Sequence, residues 1–580
     1  MRSKNQLAML LACVTALVPT ATACNNQLSV KDPPAAETTT AAEESGLPEG
    51  CAFAAEFRYA PDGVYFAANR FFSEDTMLGM IAPEGARILY TTDGSEPEEG
   101  RAELYSEPIL LEASDNDAPT VLVLKAKAIF SDGTASETAT QTFFCAENLE
   151  HRFEMPVFSL SGEPAELTES PDGILYGKNY EQRGRESERA VCVEAFNSDG
   201  SILFCQDAGV RVFGAFSREA AVKSLKLFAR RSYDAAYGKF PFDGFGTEGA
   251  DGNVISKYDK LVLRSSGNDF QFAFVRDELN QRLAAKAGYT DCEAVLPAVV
   301  YLNGEYYGML WLHEVFCDDL LKDKYGGSEG KYVVLEGTEQ QKTVSETDPE
   351  EAMIAEAFNT TYQQLTALDL TDDANYAQVT EFMDVENYLQ NYAFNIYINN
   401  ADWPHNNFKC YRYFAVGGEA LDSPQTDGRW RFLIHDTDYS LGIYEQEITR
   451  FRYNSLSEIL NPESDRYAPM FAKLLEREDC RQYFLDEMVR LMDGALSQDS
   501  IIDTLDEMER SRYREMQYYH EVLAARKPYD SSIWTSYGEY TRRCNIIRMY
   551  ARRRRAKMEE ILIEVLKLPA DYFSQETAAS

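Results

Sequence analysis

Asn399-Asn400-Ala401-Asp402-Trp403-Pro404-His405-Asn406-Asn407, followed by His435-Asp436-Thr437-Asp438, decides the reading of this 580-residue chain. Asp402 and Asp436 stand on either side of a strand-like hairpin, each with further oxygen donors beside it. Aspartate and asparagine are the hard donors that hold Mg²⁺ against phosphates. The pair therefore predicts a phosphotransferase. The competing reading of the same residues is a calcium-like site in a secreted acidic protein. A transition-metal site is a third reading, because His405 and His435 lie beside the acids.

Upstream, Phe382, Val385, Leu389, Tyr392 and Ile396 recur at spacings of three and four. That spacing predicts a helix delivering the chain to Asn399 and Asp402. Arg429 to Ile434 reads as a strand ending at His435. Further back, Gly209 to Phe213 enters a turn containing Gly214 and Ser217, and Lys223 to Arg230 leaves it. Ser224, Lys226 and Phe228 share one strand face by the period of two. A small-residue hairpin tip can cover phosphates while a lysine on the return strand pairs with them. Phe274, Val275, Leu279 and Leu283 mark a helix, on which Asp277 and Glu278 are both candidates to orient Lys226. The plain alternative is an amphipathic helix with a solvated polar face. Val299 to Leu302 and Met309 to Leu312 form a hairpin around Asn303-Gly304. Glu314 follows it, where an acid can meet a ribose or a basic residue.

Composition sets the frame. Hydrophobic residues make up 44%, enough for two or three cored domains. A net charge of -39 argues against nucleic-acid binding, since backbone recognition needs positive charge. Residues 1–24 read as an export signal: Arg2 and Lys4, the apolar run Leu7 to Val18, then Ala21-Thr22-Ala23. Cys24 follows as in a lipoprotein attachment box, with Ala21 where such boxes carry Leu; simple secretion is the alternative. Residues 25–50 read as a flexible tether. No later segment is long and apolar enough to span a bilayer. Eleven cysteines and no CxxC pair argue against structural zinc. Cys51 with Cys145, and Cys192 with Cys205, are the bridges expected in an exported chain.

Residues 51–150 alternate as short strands with Asp93-Gly94 and Asp132-Gly133 turns, which predicts a small antiparallel sandwich. Asp93 reads as a turn residue. The block Tyr90-Thr91-Thr92-Asp93-Gly94-Ser95-Glu96-Pro97 with Lys125-Ala126-Lys127-Ala128 resembles the immunoglobulin-like module at the C-terminus of chitobiase and hexosaminidase enzymes. That resemblance implies a spacer, or a unit that contacts cell-wall glycan. Residues 151–206 read as linking strands or the start of the main domain: edge strands at Met155–Leu160 and Ile174–Tyr176, then a hairpin around Asn197 to Gly200 that is either the main domain's first hairpin or a lid over it. Residues 207–570 form the main domain, whose C-terminal part is helical with an arginine-rich last helix. That basic face is expected to be solvated or to pack on the acidic body. Residues 571–580 form a fraying tail.

Several blocks in order across the main domain resemble the CotH family of atypical secreted protein kinases. They are Gly209-Val210-Arg211 with Gly214 and Ser217-Arg218; Lys223 to Leu227; Leu263-Arg264 with Gly267-Asn268-Asp269; Arg276-Asp277; Asn303 to Gly308 with Glu314; Asn400-Ala401-Asp402 with Asn406-Asn407; and Asp436-Thr437-Asp438. The resemblance implies an α+β chain with an atypical protein-kinase-like domain behind the β-sandwich. It implies phosphorylation of Ser or Thr in secreted or surface proteins, itself included, with ATP and Mg²⁺ or Mn²⁺. Lys226 then matches the phosphate lysine, with Glu278 or Asp277 to orient it. Asp402 matches the catalytic aspartate, and Asn407, Asp436 and Asp438 the metal ligands. Gly214 and Ser217 border the phosphates. The expected address is the bacterial cell surface, as a lipoprotein or a secreted protein. A non-catalytic surface or cell-wall assembly or adhesion module on the same fold is the alternative, as is a calcium-dependent glycan binder.

Overall fold

The computed structural model describes Leu47 and residues 50–573, apart from 59–63, 170–172, 176, 338–340, 344–347, 418, 420, 422, 445–449, 528–529 and 531–532. The expected signal with Cys13 and Cys24, nearly all of the tether, and residues 574–580 lie outside the described residues. No helix among the described residues is long and apolar enough to cross a membrane.

The architecture is α+β. The first block folds as two facing sheets. One orders the strands Val64–Phe66, Cys51–Phe57, Thr76–Ile81 and Ile109–Leu111. The other orders Phe71–Phe72, Ala139–Cys145, Thr120–Ile129, Arg87–Thr91 and Glu103–Leu104. Alternate residues of both, among them Phe57, Leu78, Ile88, Leu124 and Phe143, fill the space between. Asp93 serves its turn, accepting the amide (2.9 Å) and the hydroxyl (2.5 Å) of Ser95. Neither expected disulfide is formed. Cys51 and Cys145 sit in opposite sheets, and the Cys145 thiol points at the Glu74 carbonyl instead. The Cys192 and Cys205 sulfurs lie 3.8 Å apart, unbonded.

Next comes a closed seven-stranded barrel: Val157–Ser161 (β1), Arg189–Phe196 (β2), Ile202–Phe213 (β3), Ser224–Phe228 (β4), Lys260–Arg264 (β5), Val295–Leu302 (β6) and Glu305–His313 (β7). The strands neighbour one another as β1-β2-β3-β4-β5-β7-β6, with β6 closing in parallel onto β1. β1 is thus an inner strand, not the edge strand expected. Ile174 and Leu175 are buried turn residues rather than a strand. Period-two alternation places Val210, Val212, Leu225, Leu227, Leu261, Leu263 and Leu312 inside. Their strand neighbours Arg211, Lys226, Lys260 and Arg264 must then face outward.

The sandwich seats on this barrel through aromatic rings. Phe144 packs 5.8 Å from Phe196 and 5.2 Å from Tyr301, edge-on to both. Thr142 donates to Glu194 of β2 at 2.6 Å.

A helical lobe follows. Arg276–Lys286 (α1) packs beside the barrel, and Val385–Ile398 (α2) runs through the lobe core. The tail is helical, as expected, with Pro469–Leu474, Glu478–Asp493, Gln498–Arg510 and Tyr513–Arg526, and it ends in the arginine-rich Tyr537–Leu566 (α3). The arginine run of α3 reaches inward at Arg554, which is fully buried. It donates to the carbonyls of Ile396 (2.8 Å), Tyr397 (2.8 Å), Phe451 (2.7 Å) and Tyr453 (2.9 Å). The first two belong to the last turn of α2, where Ile396 also accepts the Asn399 amide (3.3 Å) and Tyr397 the Tyr550 hydroxyl (2.6 Å). An Arg554→Leu substitution removes the guanidinium from all four and leaves the Phe451 and Tyr453 carbonyls without it, each such loss costing about 1–3 kcal/mol. We expect it to lower stability by about 2 kcal/mol or more in guanidinium unfolding of the helical signal. An unchanged midpoint would remove this capping role.

Candidate functional site

The site is assembled at the start of α1. Asp269 caps that helix: its buried carboxylate accepts the amides of Ala273 (3.0 Å), Val275 (2.9 Å) and Arg276 (2.9 Å) and pairs with the Arg276 guanidinium. Arg276, Asp277, Glu278, Asn280 and Gln281 of α1 are buried, unlike the solvated polar face of the plain alternative. They hold the acidic loop. Asp277 accepts the backbone amide and the hydroxyl of Thr437, both at 2.8 Å. Asn280 donates to the hydroxyls of Thr437 (3.0 Å) and Ser440 (2.8 Å), and Gln281 to the Ile434 carbonyl (3.2 Å). A helix that spends its polar face on a neighbouring loop fixes that loop's backbone, because each of these groups is costly to leave unpaired.

The loop then presents Asp436 and Asp438 differently. Asp438 is buried and accepts the Asn268 amide (2.8 Å) and side chain (3.1 Å). Burial and the Asp436 charge push its carboxyl up to about 8. Gly267, at φ +49°, is required here, since a Cβ would run into an Asp438 oxygen. Asp436 stays one-third exposed. Asp402 lies across from it. The Asn406 (3.1 Å) and Asn407 (3.0 Å) amides donate to Asp402. Burial, together with the Asp436 charge, raises the Asp402 carboxyl above its ordinary value. Two backbone bonds stitch the loops together: Ala401 N–H to Tyr439 C=O and Leu441 N–H to Ile398 C=O, both 2.9 Å. Arg466 clamps the Asp402 loop from below by donating to the Asn400 and Trp403 carbonyls at 2.7 Å. The structure thus brings Asp402, Asn407, Asp436 and Asp438 together.

The barrel's outer face supplies the opposite charge. Arg211 and Lys226 are direct cross-strand partners, and Lys260 and Arg264 follow on the same face of β5. Burial, and then the charges of Lys260, Lys409 and Arg211, push the Lys226 ammonium down to about 7. Neither acid expected to orient Lys226 pairs with it. Asp277 takes Arg264 instead, and Glu278 faces Ser266 and His313, each at 3.4 Å. The reason is register: Arg264 stands one strand over and closer to the start of α1.

Glu336 is an acid within electrostatic reach of Lys226. Burial opposes its ionisation, but Lys409, His435 and Lys226 outweigh that and hold it down at about 2. Lys409 meets it at 3.1 Å. Glu293 bridges His313 (3.0 Å) and His435 (3.1 Å), and those bonds hold it well below the ordinary carboxyl range despite burial. Sequence reasoning missed Arg264, Glu293, Glu336 and Lys409 as parts of this site. The signals that could have found them are an arginine ending β5 and a lysine two residues beyond Asn407.

Two other expectations are revised. Glu314 does not face the cleft: it is buried, accepting the Ala294 amide (3.0 Å) and the Thr247 hydroxyl (3.1 Å), with Lys324 at 3.5 Å. Gly214 (φ +105°) and Ser217 do lie in the turn joining β3 and β4. That turn is bonded to itself, with Arg218 donating to the Gly214 carbonyl (2.7 Å) and Lys223 to the Arg218 carbonyl (2.6 Å). Asp277, Glu278 and His313 also converge, but Arg264, Thr437, Ser266 and Glu293 already engage them. The Asp436–Asp438 pair fits a hard divalent cation better. Both carboxylates converge on a single cationic nitrogen, Arg264 Nη2, with the carboxamide of Asn407 nearby on Asp402.

The class defined so far is an α+β protein with two stitched acidic loops beside the basic wall of a small barrel. The chain belongs to the CotH kinase protein family, whose model matches residues 210–558. A second model, described as Fn3 associated, matches residues 80–143 within the sandwich. That match gives this part of the first domain its affiliation, and it is not specific to the chitobiase-type module expected. The comparison with curated proteins returns no match.

Gly267→Ala tests the acidic loop. We expect it to abolish the rise in thermal midpoint caused by Mg²⁺, because Asp438 is displaced. Gly288→Ala is the control: its φ is also positive (+80°), but open space surrounds it. Equal metal responses in the two variants would dissociate Asp438 from metal binding.

Proposed function

We propose that the chain is an exported protein kinase, with a protein-kinase-like barrel and helical lobe behind a β-sandwich spacer. In this reading it transfers the γ-phosphoryl group of ATP to a Ser or Thr hydroxyl of a secreted or surface protein. The observation that supports it best is the pairing of Asp402 with Asp436 across two hydrogen-bonded loops, beside a wall of four basic side chains. Family membership supports the same reading.

The chemistry follows from the groups in place. The Asp402 carboxylate, raised by burial and by its acidic neighbour, takes the proton of the acceptor hydroxyl. The amides of Asn406 and Asn407 fix its orientation. Asp436, Asp438 and Asn407 would hold Mg²⁺ or Mn²⁺, which neutralises charge on the phosphates when bound. Lys226, with Arg211 and Lys260 on the same wall, attracts the phosphates, and Gly214 and Ser217 border them. The hydroxyl oxygen bonds to the γ-phosphorus, the bond to the β-phosphate oxygen breaks, and ADP leaves. Almost all of this is positioning and electrostatics. Export, anchoring through a lipid at Cys24, and contact of the sandwich with cell-wall glycan complete the proposal.

Purified protein, incubated with Mg²⁺ and γ-labelled ATP, should label itself or a generic acceptor, and Asp436→Ala should not. Absence of label with the intact chain would exclude the kinase reading. A second expectation concerns Lys226. With its ammonium pushed down to about 7, it is mostly neutral at pH 8 in the empty cleft. Phosphates raise it again, so nucleotide binding at pH 8 takes up a proton. Titration calorimetry in buffers of different ionisation enthalpy should show that uptake, and Lys226→Met should abolish it.

A further inference from the structure

One guanidinium meets three carboxylates at the heart of this site. Arg264 Nη1 bonds to Asp277, while Nη2 bonds to Asp436 and, at 3.0 Å, to Asp438. Arg264 is otherwise nearly enclosed, and Asp277 and Asp438 are buried. Buried carboxylates without a counter-charge are strongly unfavourable, so this contact is a large part of what keeps the loop folded.

The two nitrogens have separable duties. Nη2 sits where Asp436 and Asp438 converge, the same place a divalent cation needs. Nη1 is held elsewhere, by Asp277 Oδ2; the other Asp277 oxygen is engaged with Thr437. A metal entering between Asp436 and Asp438 must therefore displace Nη2, and Asp277 keeps the side chain from leaving altogether. The displaced half of the fork stays on the barrel's outer face, on the wall that carries Lys226. A guanidinium there matches the geometry of phosphate oxygens.

We propose that Arg264 is a built-in counter-cation of the Asp436–Asp438 pair, which a divalent metal must displace and which a phosphate then receives. The proposal rests on the kinase reading for the identity of that phosphate. It makes metal and nucleotide cooperative partners: metal alone competes with Arg264, whereas nucleotide gives Arg264 a new anion. By linkage, each then tightens the other.

The test is Mn²⁺ alone, with no nucleotide, titrated into the full chain and followed by electron paramagnetic resonance. Arg264→Gln removes the competitor and should bind Mn²⁺ about tenfold more tightly than the unmodified chain, the size expected for losing a charge-assisted bond. Arg264→Lys keeps a charge but loses the fork, and should fall between the two; it serves if the glutamine variant does not fold. Thermal melts report folding in parallel, and the midpoint of either variant should rise more with Mn²⁺ than that of the unmodified chain. Mn²⁺ affinity unchanged or weakened in a folded variant, or no Mn²⁺ binding in any of the three, would overturn the counter-cation. Label transfer by the unmodified chain with unchanged Mn²⁺ affinity in the variants sinks this proposal alone. Tighter Mn²⁺ binding without any label transfer sinks the kinase reading and leaves the counter-cation standing.

Discussion

The buried carboxylate of Asp277 joins the two halves of the molecule. One of its oxygens takes the Arg264 guanidinium of the barrel, and the other takes the Thr437 amide and hydroxyl of the acidic loop. The helix that carries it starts where it does because Asp269 holds the Ala273 and Val275 amides leading into it and the Arg276 amide that opens it. Barrel wall, helix and loop are therefore fixed by one chain of hydrogen bonds. Asp436 and Asp438 hold their relative positions because that chain holds the backbone between them.

Charge is distributed against the average. The chain is strongly acidic, at -39, yet the barrel face beside the acidic loops gathers Arg211, Lys226, Lys260 and Arg264. Net charge governs solubility and long-range attraction, whereas a cleft is governed by the few groups within a Debye length. Burial, and after it the charges of Lys260, Lys409 and Arg211, depress Lys226. Such a wall is poised to accept a dense anion and relaxes electrostatically when it does. The Glu293 bridge between His313 and His435 is the counterpart on the acidic side, bracing the residue just before Asp436.

Much of this was legible in the sequence, for identifiable reasons. Strand period placed Lys226 on the face opposite the leucines, and the barrel confirms that alternation. The α2 spacing led correctly to Asn399, and the acid and amide types around Asp402 and Asp436 marked the loops that meet. What was not legible depends on register between distant strands. Whether Lys226 or Arg264 faces the start of α1 is set by the pairing of β4 with β5 and by where α1 packs, and neither leaves a local signature. Glu314 misled because a carboxylate after a strand looks the same whether it faces a cleft or a half-buried threonine and a backbone amide. The α1 polar face misled for a related reason: periodicity separates polar from apolar, but cannot tell solvent from a polar loop. The two expected disulfides are missing for different reasons: Cys51 and Cys145 lie in opposite sheets with the Cys145 thiol turned to Glu74, whereas Cys192 and Cys205 sit on paired barrel strands with their sulfurs 3.8 Å apart.

The reach of Arg554 into the end of α2 has a consequence in time as well as space. Arg554, which clasps the last turn before Asn399 and Asp402, lies 157 residues beyond Tyr397. A ribosome must therefore add all of those residues before that turn can be clasped. A chain cut short of Arg554 holds every acid of the cleft yet lacks the clasp that seats them, so competence waits on a helix made long after the loops it serves.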